Sequence, residues 1–197
     1  VSAEAELRIP LKKTLGKTTL DGRAVLADVR FTDAKWDLDF TEVKGRAEFS
    51  TGGFAAEGLD LRAGEGSGQL RIAVGEYTGS SDRAVDAALR GRFSAQDLFG
   101  QIDDLRAILA QAQGSAPWEV DLSVDGGQSQ DKHTHVEYRT SMEGIAIGFP
   151  APLGKTASAR RPLKLALDLP LEAGAPLRLD LGPEARLVAE LPTRDRD

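Results

Sequence analysis

The stretch VKGRAEFSTGGFAAEGLDLRAGEGSGQLRI occupies residues 43–72. Val43, Gly45, Ala47 and Phe49 alternate with Lys44, Arg46 and Glu48. Farther on, Leu70, Ile72 and Val74 alternate with Gln69, Arg71 and Ala73. Successive side chains of a strand point to opposite faces, so this pattern describes strands with one apolar and one wet face. One-sided strands of this kind are the mark of an antiparallel sheet. Glycines punctuate the alternation at Gly52-Gly53 and from Gly64 to Gly68, where the chain turns back. The second turn, GEGSG, misses the G-x-S-x-G of a serine-hydrolase elbow, because Glu65 stands where glycine is needed. It also joins two strands, whereas that elbow joins a strand to a helix. It reads as a glycine-rich hairpin.

The same period extends in both directions. Upstream, Trp36, Leu38 and Phe40 flank Asp37 and Asp39. Downstream come Val85, Ala87, Leu89, Gly91 and Phe93, then Trp118, Val120, Leu122 and Val124. Leu163, Leu165, Leu167 and Leu169 follow, and finally Leu177, Leu179 and Leu181. Further turn signals fall at Gly79 to Ser81, Gly126-Gly127 and Ala173-Gly174. The pattern predicts roughly ten to twelve strands. One segment departs from it. Leu98, Ile102, Leu105 and Leu109 recur at helical spacing, and Ser94 with Asp97 forms a capping-box pattern. This predicts one amphipathic helix near 95–112, stopped by Gly114 and laid against the sheet as a lid at one end. The chain thus divides into a first strand run at 1–93, the helix at 94–114, a second strand run at 115–192 and a solvated tail at 193–197. "LRIPL" at 7–11 and "LDLPL" at 167–171 echo one another too faintly to establish a repeat.

Composition narrows the function. Of 197 residues, 41% are hydrophobic but only 6% aromatic, so the apolar face is mainly Leu, Val and Ala. The net charge of −6 argues against nucleic acid, which demands a basic stripe. There is no cysteine, hence neither disulfides nor thiolate metal sites. No apolar run approaches the ~20 residues of a spanning helix. Val1 falls inside a strand-like pattern, so the chain reads as an internal piece of a longer protein.

A dozen one-sided strands expose more apolar surface than one helix can cover. Either the sheet folds onto itself as a closed β-sandwich or barrel, or its apolar face lines a groove that something else fills. Alternation alone leaves both open, self-closure being the commoner solution.

Candidate chemistry is sparse. His133 and His135, the only histidines, share a strand face with Glu137, opposite Val136 and Tyr138. His-x-His binds zinc only when a third ligand converges, so a zinc hydrolase is the weaker reading and a solvated strand the stronger. GFPAPLGKT at 148–156 resembles a phosphate-binding loop, but Phe149 stands where glycine is required, and Pro150 and Pro152 lack N–H donors. No nucleotide is expected. Lys155, Arg160, Arg161 and Lys164 form a local basic group that reads as a solvated loop, with attraction to an anionic head group as the alternative. The acidic residues are scattered along polar faces and single out no acid/base pair.

The stretch RTSMEGIAIGFPAPLGKTASARRPLKLALDL, 139–169, resembles the YhdP branch of the AsmA-like proteins. Ser141, Gly144, Pro150, Pro152, Leu153, Gly154 and Lys155 match that branch's pattern, while Phe149 replaces its usual leucine. The opening stretch is similar to its recurring unit of a V-x-G-x-x-x-F strand, a glycine turn and two further strands, and APWEVDLSV at 116–124 fits the segment before the Pro-Leu-Gly-Lys run. The resemblance implies a mainly β fold, a large curved antiparallel sheet forming an apolar groove. It also implies an inner-membrane-anchored envelope protein of Gram-negative bacteria that carries phospholipid through the periplasm toward the outer membrane. Pro150, Pro152, Gly154 and Lys155 would then be a structural corner in which two prolines stop the ladder and Lys155 faces water. Alternation and resemblance together nominate Trp36, Leu38, Phe40, Ala47, Phe49, Leu70, Ile72, Leu89, Trp118, Leu122, Leu165 and Leu167 as groove lining. The expected partners are phospholipid acyl chains, with membrane components reached through other parts of the parent protein. Neither enzymatic chemistry, cofactor nor metal is expected.

Overall fold

The alternation is realised as a single broad sheet. A computed structural model describes residues 1–9, 18–33, 38–100, 102, 105–126, 133–151, 153–169, 176–182 and 186–190. Trp36, Pro152 and the 193–197 tail lie outside the described residues. The first strand run gives β1 (Ser2–Arg8), β2 (Thr19–Asp33), β3 (Leu38–Ser50), β4 (Gly53–Ala63), β5 (Gly66–Gly75) and β6 (Arg83–Phe93). The second gives β7 (Ala112–Gly114), β8 (Ala116–Asp125), β9 (Thr134–Thr140), β10 (Ile145–Ile147), β11 (Leu163–Leu169), β12 (Pro176–Asp180) and β13 (Arg186–Glu190). Eleven of these form one antiparallel sheet in the order β1-β2-β3-β4-β5-β6-β8-β9-β11-β12-β13, and β7 pairs with β10 in a separate two-stranded piece. At about 4.8 Å between neighbours, the large sheet runs about 48 Å from edge to edge. Among the described residues its outermost strands, β1 and β13, each pair on one side only, so it closes into neither a barrel nor a sandwich. The self-closed alternative is thereby set aside. Consecutive order lets each short connection be a hairpin, so no crossover is needed to cover a second face.

The sheet curves, and part of the reason is visible residue by residue. In β2 the inward positions run Leu20, Gly22, Ala24, Leu26 and then switch to Val29; in β3 Phe40 gives way to Val43, Gly45 and Ala47; in β4 Ala56 gives way to Leu59, Leu61 and Ala63. Each switch changes phase by one residue, and one extra residue in a strand is a β-bulge. The pairing shifts between Leu26 and Val29, between Thr41 and Lys44, and between Ala56 and Leu59. Asp28 and Glu42 take up positive φ there, at 58° and 52°. Bulges in three neighbouring strands act together to bend and twist this part of the sheet. On β5 the phase is unbroken from Gly68 to Val74, and the crease ends.

The single helix expected near 95–112 is instead two short ones, α1 (Ala95–Phe99) and α2 (Arg106–Leu109), after which Ala112 already belongs to β7. The capping box is present: Ser94 Oγ accepts from the Asp97 N–H at 3.0 Å, and Asp97 returns the bond to the Ser94 N–H at 2.8 Å. Gly100 caps α1, and the Ile102 and Leu105 N–H groups reach only three residues back, to Phe99 and Ile102, so the helical ladder tightens and breaks. Leu109 is buried and Leu98 packs on the core, whereas Ile102 points out at 48% exposure. Gly114 ends a strand, not a helix, at φ 97°.

The core gathers where α1, β7 and β10 cover one end of the strands. Phe93 and Ile145 are its most deeply buried large side chains, joined by Leu59, Leu61, Leu89, Ala116 and Trp118. Phe93 owes its place to glycines on its own strand and on the neighbouring one. A Cβ on Gly91 would stand 2.7 Å from the Phe93 ring and 2.4 Å from the Ser67 carbonyl, and one on Gly68 2.7 Å from the same ring. The ring lies over bare backbone, an aromatic compensating for strand glycines. Gly91→Ala should therefore destabilise the fold by about 1–3 kcal/mol through overpacking. Gly58→Ala, where a Cβ meets nothing within 4 Å, should change stability by no more than about 0.5 kcal/mol; paired denaturant titrations check the contrast.

Candidate functional site

Register converts single-strand alternation into rows that run along the sheet. One row takes Ala5, Gly22, Phe49, Phe54, Val74, Val85, Val124, Thr134 and Leu169, one residue from each of β1 to β6, β8, β9 and β11. A second links Ala56, Ile72, Ala87, Leu122, Val136 and Leu167. A third links Leu59, Leu70, Leu89, Val120, Tyr138, Leu165 and Leu179. A fourth, at the strand ends, holds Leu61, Gly68, Gly91, Trp118, Thr140 and Leu163. None of the four contains a charged residue. Their only polar side chains are Thr134, Thr140 and Tyr138; the two threonines are buried, and burial raises the Tyr138 pKa above its ordinary value.

The opposite face is the reverse. The register aligns Lys44, Asp60, Gln69, Arg90, Glu119, Arg139, Lys164, Asp180 and Arg186. Gln69 donates to Asp60 at 2.9 Å, Lys164 pairs with Glu137 at 2.8 Å, Arg186 with Asp180 at 3.0 Å, and Arg139 with both Asp121 and Glu137. The Asp121 contact raises the Arg139 pKa. Exposed pairs contribute little each, about 0–1 kcal/mol, but they keep this face in water and so define which face is not.

Cover is unequal along the apolar face. Over the fourth row and part of the third sit Leu98, Phe99, Ala112, Ile145 and Ile147. The Phe99 ring meets Trp118 edge-on at 5.8 Å and Tyr138 at 4.9 Å. Away from this cap, Ile72, Val74, Val85, Ala87, Leu122, Val124 and Leu167 remain only half-buried, and Phe54 is 40% exposed. Small Ala56 and Val136 sink between larger neighbours.

The nominated residues distribute accordingly. Leu70, Ile72, Leu89, Leu122, Leu165 and Leu167 fall in the middle rows, Phe49 in the first, and Ala47 and Phe40 pack against the core cluster. Trp118 is buried under the cap, its Nε1–H donating to the Phe93 carbonyl at 3.0 Å. Leu38 lies at the start of β3, 37% exposed and apart from the rest. Sequence reasoning passed over Leu59 and Leu61, which the phase switch in β4 would have identified, and Phe99, which alternation could not reach.

The Pro-Leu-Gly-Lys segment closes a tight loop in which Ile147 and Lys155 exchange backbone hydrogen bonds at 2.9 and 3.1 Å. Pro150 supplies a carbonyl to the N–H groups of Leu153 and Gly154, and a Cβ on Gly154 would meet the Phe149 carbonyl at 2.0 Å. Contrary to expectation, Lys155 does not simply project into water: it is half-buried and turned back onto the backbone. Its ammonium donates to the carbonyls of Met142 at 2.9 Å, of Thr156 at 3.0 Å and of Ile145. Burial, and then the charge of Arg161, lower its pKa, while the three carbonyl oxygens oppose that by favouring the charged form. Arg161 in turn donates to the Leu153 carbonyl at 2.8 Å. His135 is exposed, its Nδ1 2.7 Å from Asp168 Oδ1, and no group of three ligands suited to a metal occurs among the described residues.

An open eleven-stranded sheet with one charged and one uncharged face defines a class: β proteins that offer an elongated apolar surface. The chain belongs to the YhdP protein family, which matches residues 1–195, and is thus an AsmA-like protein. No curated protein and no solved structure matches it. Among the described residues, no helix is long and apolar enough to cross a membrane. Lys155→Met should destabilise the fold by about 1–3 kcal/mol, since it strips donors from the carbonyls of buried Met142 and Ile145; thermal melts of the two proteins measure it.

Proposed function

We propose that this chain is a segment of a periplasmic bridge that carries phospholipid between the inner and outer membranes of a Gram-negative envelope. The observation that supports it is the uncharged row from Ala5 to Leu169, which runs along the sheet and crosses nine strands without meeting an ionised group. An acyl chain leaving water gains about 0.8 kcal/mol per buried CH₂ wherever it lies on such a surface. With valine, leucine and alanine repeated from strand to strand, neighbouring positions bind nearly equally, and a chain can shift along the row without a deep well to hold it. The lipid headgroup stays in water at the uncovered side. No bond is made or broken, so catalytic residues have no part in this reading. Membrane components at either end are met by other parts of the parent protein.

Two measurements test this. Organic extraction of the purified chain should release phospholipid, identified by mass spectrometry. Ile72→Asp combined with Leu122→Asp should abolish that lipid and the binding of a fluorescent fatty acid, while the half-buried setting of both positions lets the sheet persist by circular dichroism. A wild-type chain that carries no lipid and binds no acyl probe would sink the proposal.

A further inference from the structure

We propose that Phe99 is a specificity-determining residue, a side wall along one flank of the apolar surface that favours linear over branched acyl chains. The inference rests on the lipid-carrying reading above and deepens it. Phe99 is the last residue of α1, and its ring lies against Trp118 at 5.8 Å and Tyr138 at 4.9 Å. These two belong to the fourth and third rows, so the ring stands on the boundary between covered and uncovered surface. On β8 the same-face positions beyond it are Leu122 and Val124. Same-face residues are about 6.8 Å apart along a strand, twice the rise per residue. A chain lying along the rows therefore has a bed only a few side chains wide, bounded on one flank by this ring.

The wall is fixed at both ends. On one side Asp97 ties α1 to Ser94 and also accepts from the Glu65 N–H at 3.1 Å, in the β4–β5 turn. On the other, Leu109 is buried, β7 pairs with β10, and the Gly148 N–H donates to the Gln111 carbonyl at 2.9 Å. Such anchoring suits a constant boundary more than a lid. Methyl branches widen a chain without changing its chemistry, so a boundary of this kind discriminates against them by contact with the ring.

The test is a competition between dipalmitoyl and diphytanoyl phosphatidylglycerol, which share a headgroup and differ in branching, read by native mass spectrometry on this chain. Phe99→Ala should move the bound ratio about tenfold toward the branched lipid, the order of effect of one methylene in an apolar pocket. Phe99→Trp should move it the other way, and keeps the test alive if the alanine variant does not fold. Ile102→Ala, on the same segment but turned outward, should leave the ratio unchanged. Folded Phe99 variants that bind lipid in the wild-type ratio would overturn the inference and leave the lipid-carrying reading standing. A wild-type chain that binds neither lipid overturns both.

Discussion

Everything in this molecule depends on keeping side-chain phase across hydrogen-bonded strands. A strand shows one face every second residue, and a single-residue slip turns every side chain over. Eleven strands in one sheet must agree. Where the chain carries an extra residue, at Asp28, Glu42 and the Glu57-Gly58 step, a bulge absorbs it before the charges of one face can reach the other. The curvature around β2 to β4 is the geometric residue of that correction.

Two energetic regimes follow along each strand. At the capped end, Phe93, Ile145 and Trp118 are packed as in an ordinary core, and the glycines under Phe93 leave no slack. Stability is concentrated there. Toward the other end, Ile72, Leu122 and Leu167 are held by the ladder and by each other but stay half in water. The ion pairs of the far face, such as Lys164 with Glu137, add solubility more than stability. One end of the sheet is thus closely packed, and the other leaves its apolar face half in water.

Strand alternation was legible because it is a local property, and so was the capping box at Ser94 and Asp97. The antiparallel sheet, the mainly β class and the family all follow from it and from the Pro-Leu-Gly-Lys stretch. What failed was non-local. Helical spacing from Leu98 to Leu109 predicts one helix, but β10 offers Ala112 to Gly114 a hydrogen-bonding partner that the sequence does not announce. Lys155 reads as a solvated lysine because its carbonyl acceptors, on Met142 and on Ile145 at the start of β10, lie more than nine residues away. The uncharged face of the sheet was legible wherever phase was constant, as at Leu70, Ile72 and Leu89. It was missed at Leu59 and Leu61, beyond a bulge, and at Phe99, whose place on Trp118 and Tyr138 is set by tertiary packing.

The order of the large sheet follows the order of the chain, so each strand finds its partners among its near neighbours in sequence. In such quasi-one-dimensional architectures stability is a sum over adjoining units. Two properties that are entangled in most domains therefore separate. The cross-section depends on strand length, phase and the cap at Phe99. The reach depends only on how many hairpins are strung together. Gain or loss of a hairpin in the right phase would change the span of the molecule by about 10 Å, two strand spacings, and leave its profile as it was.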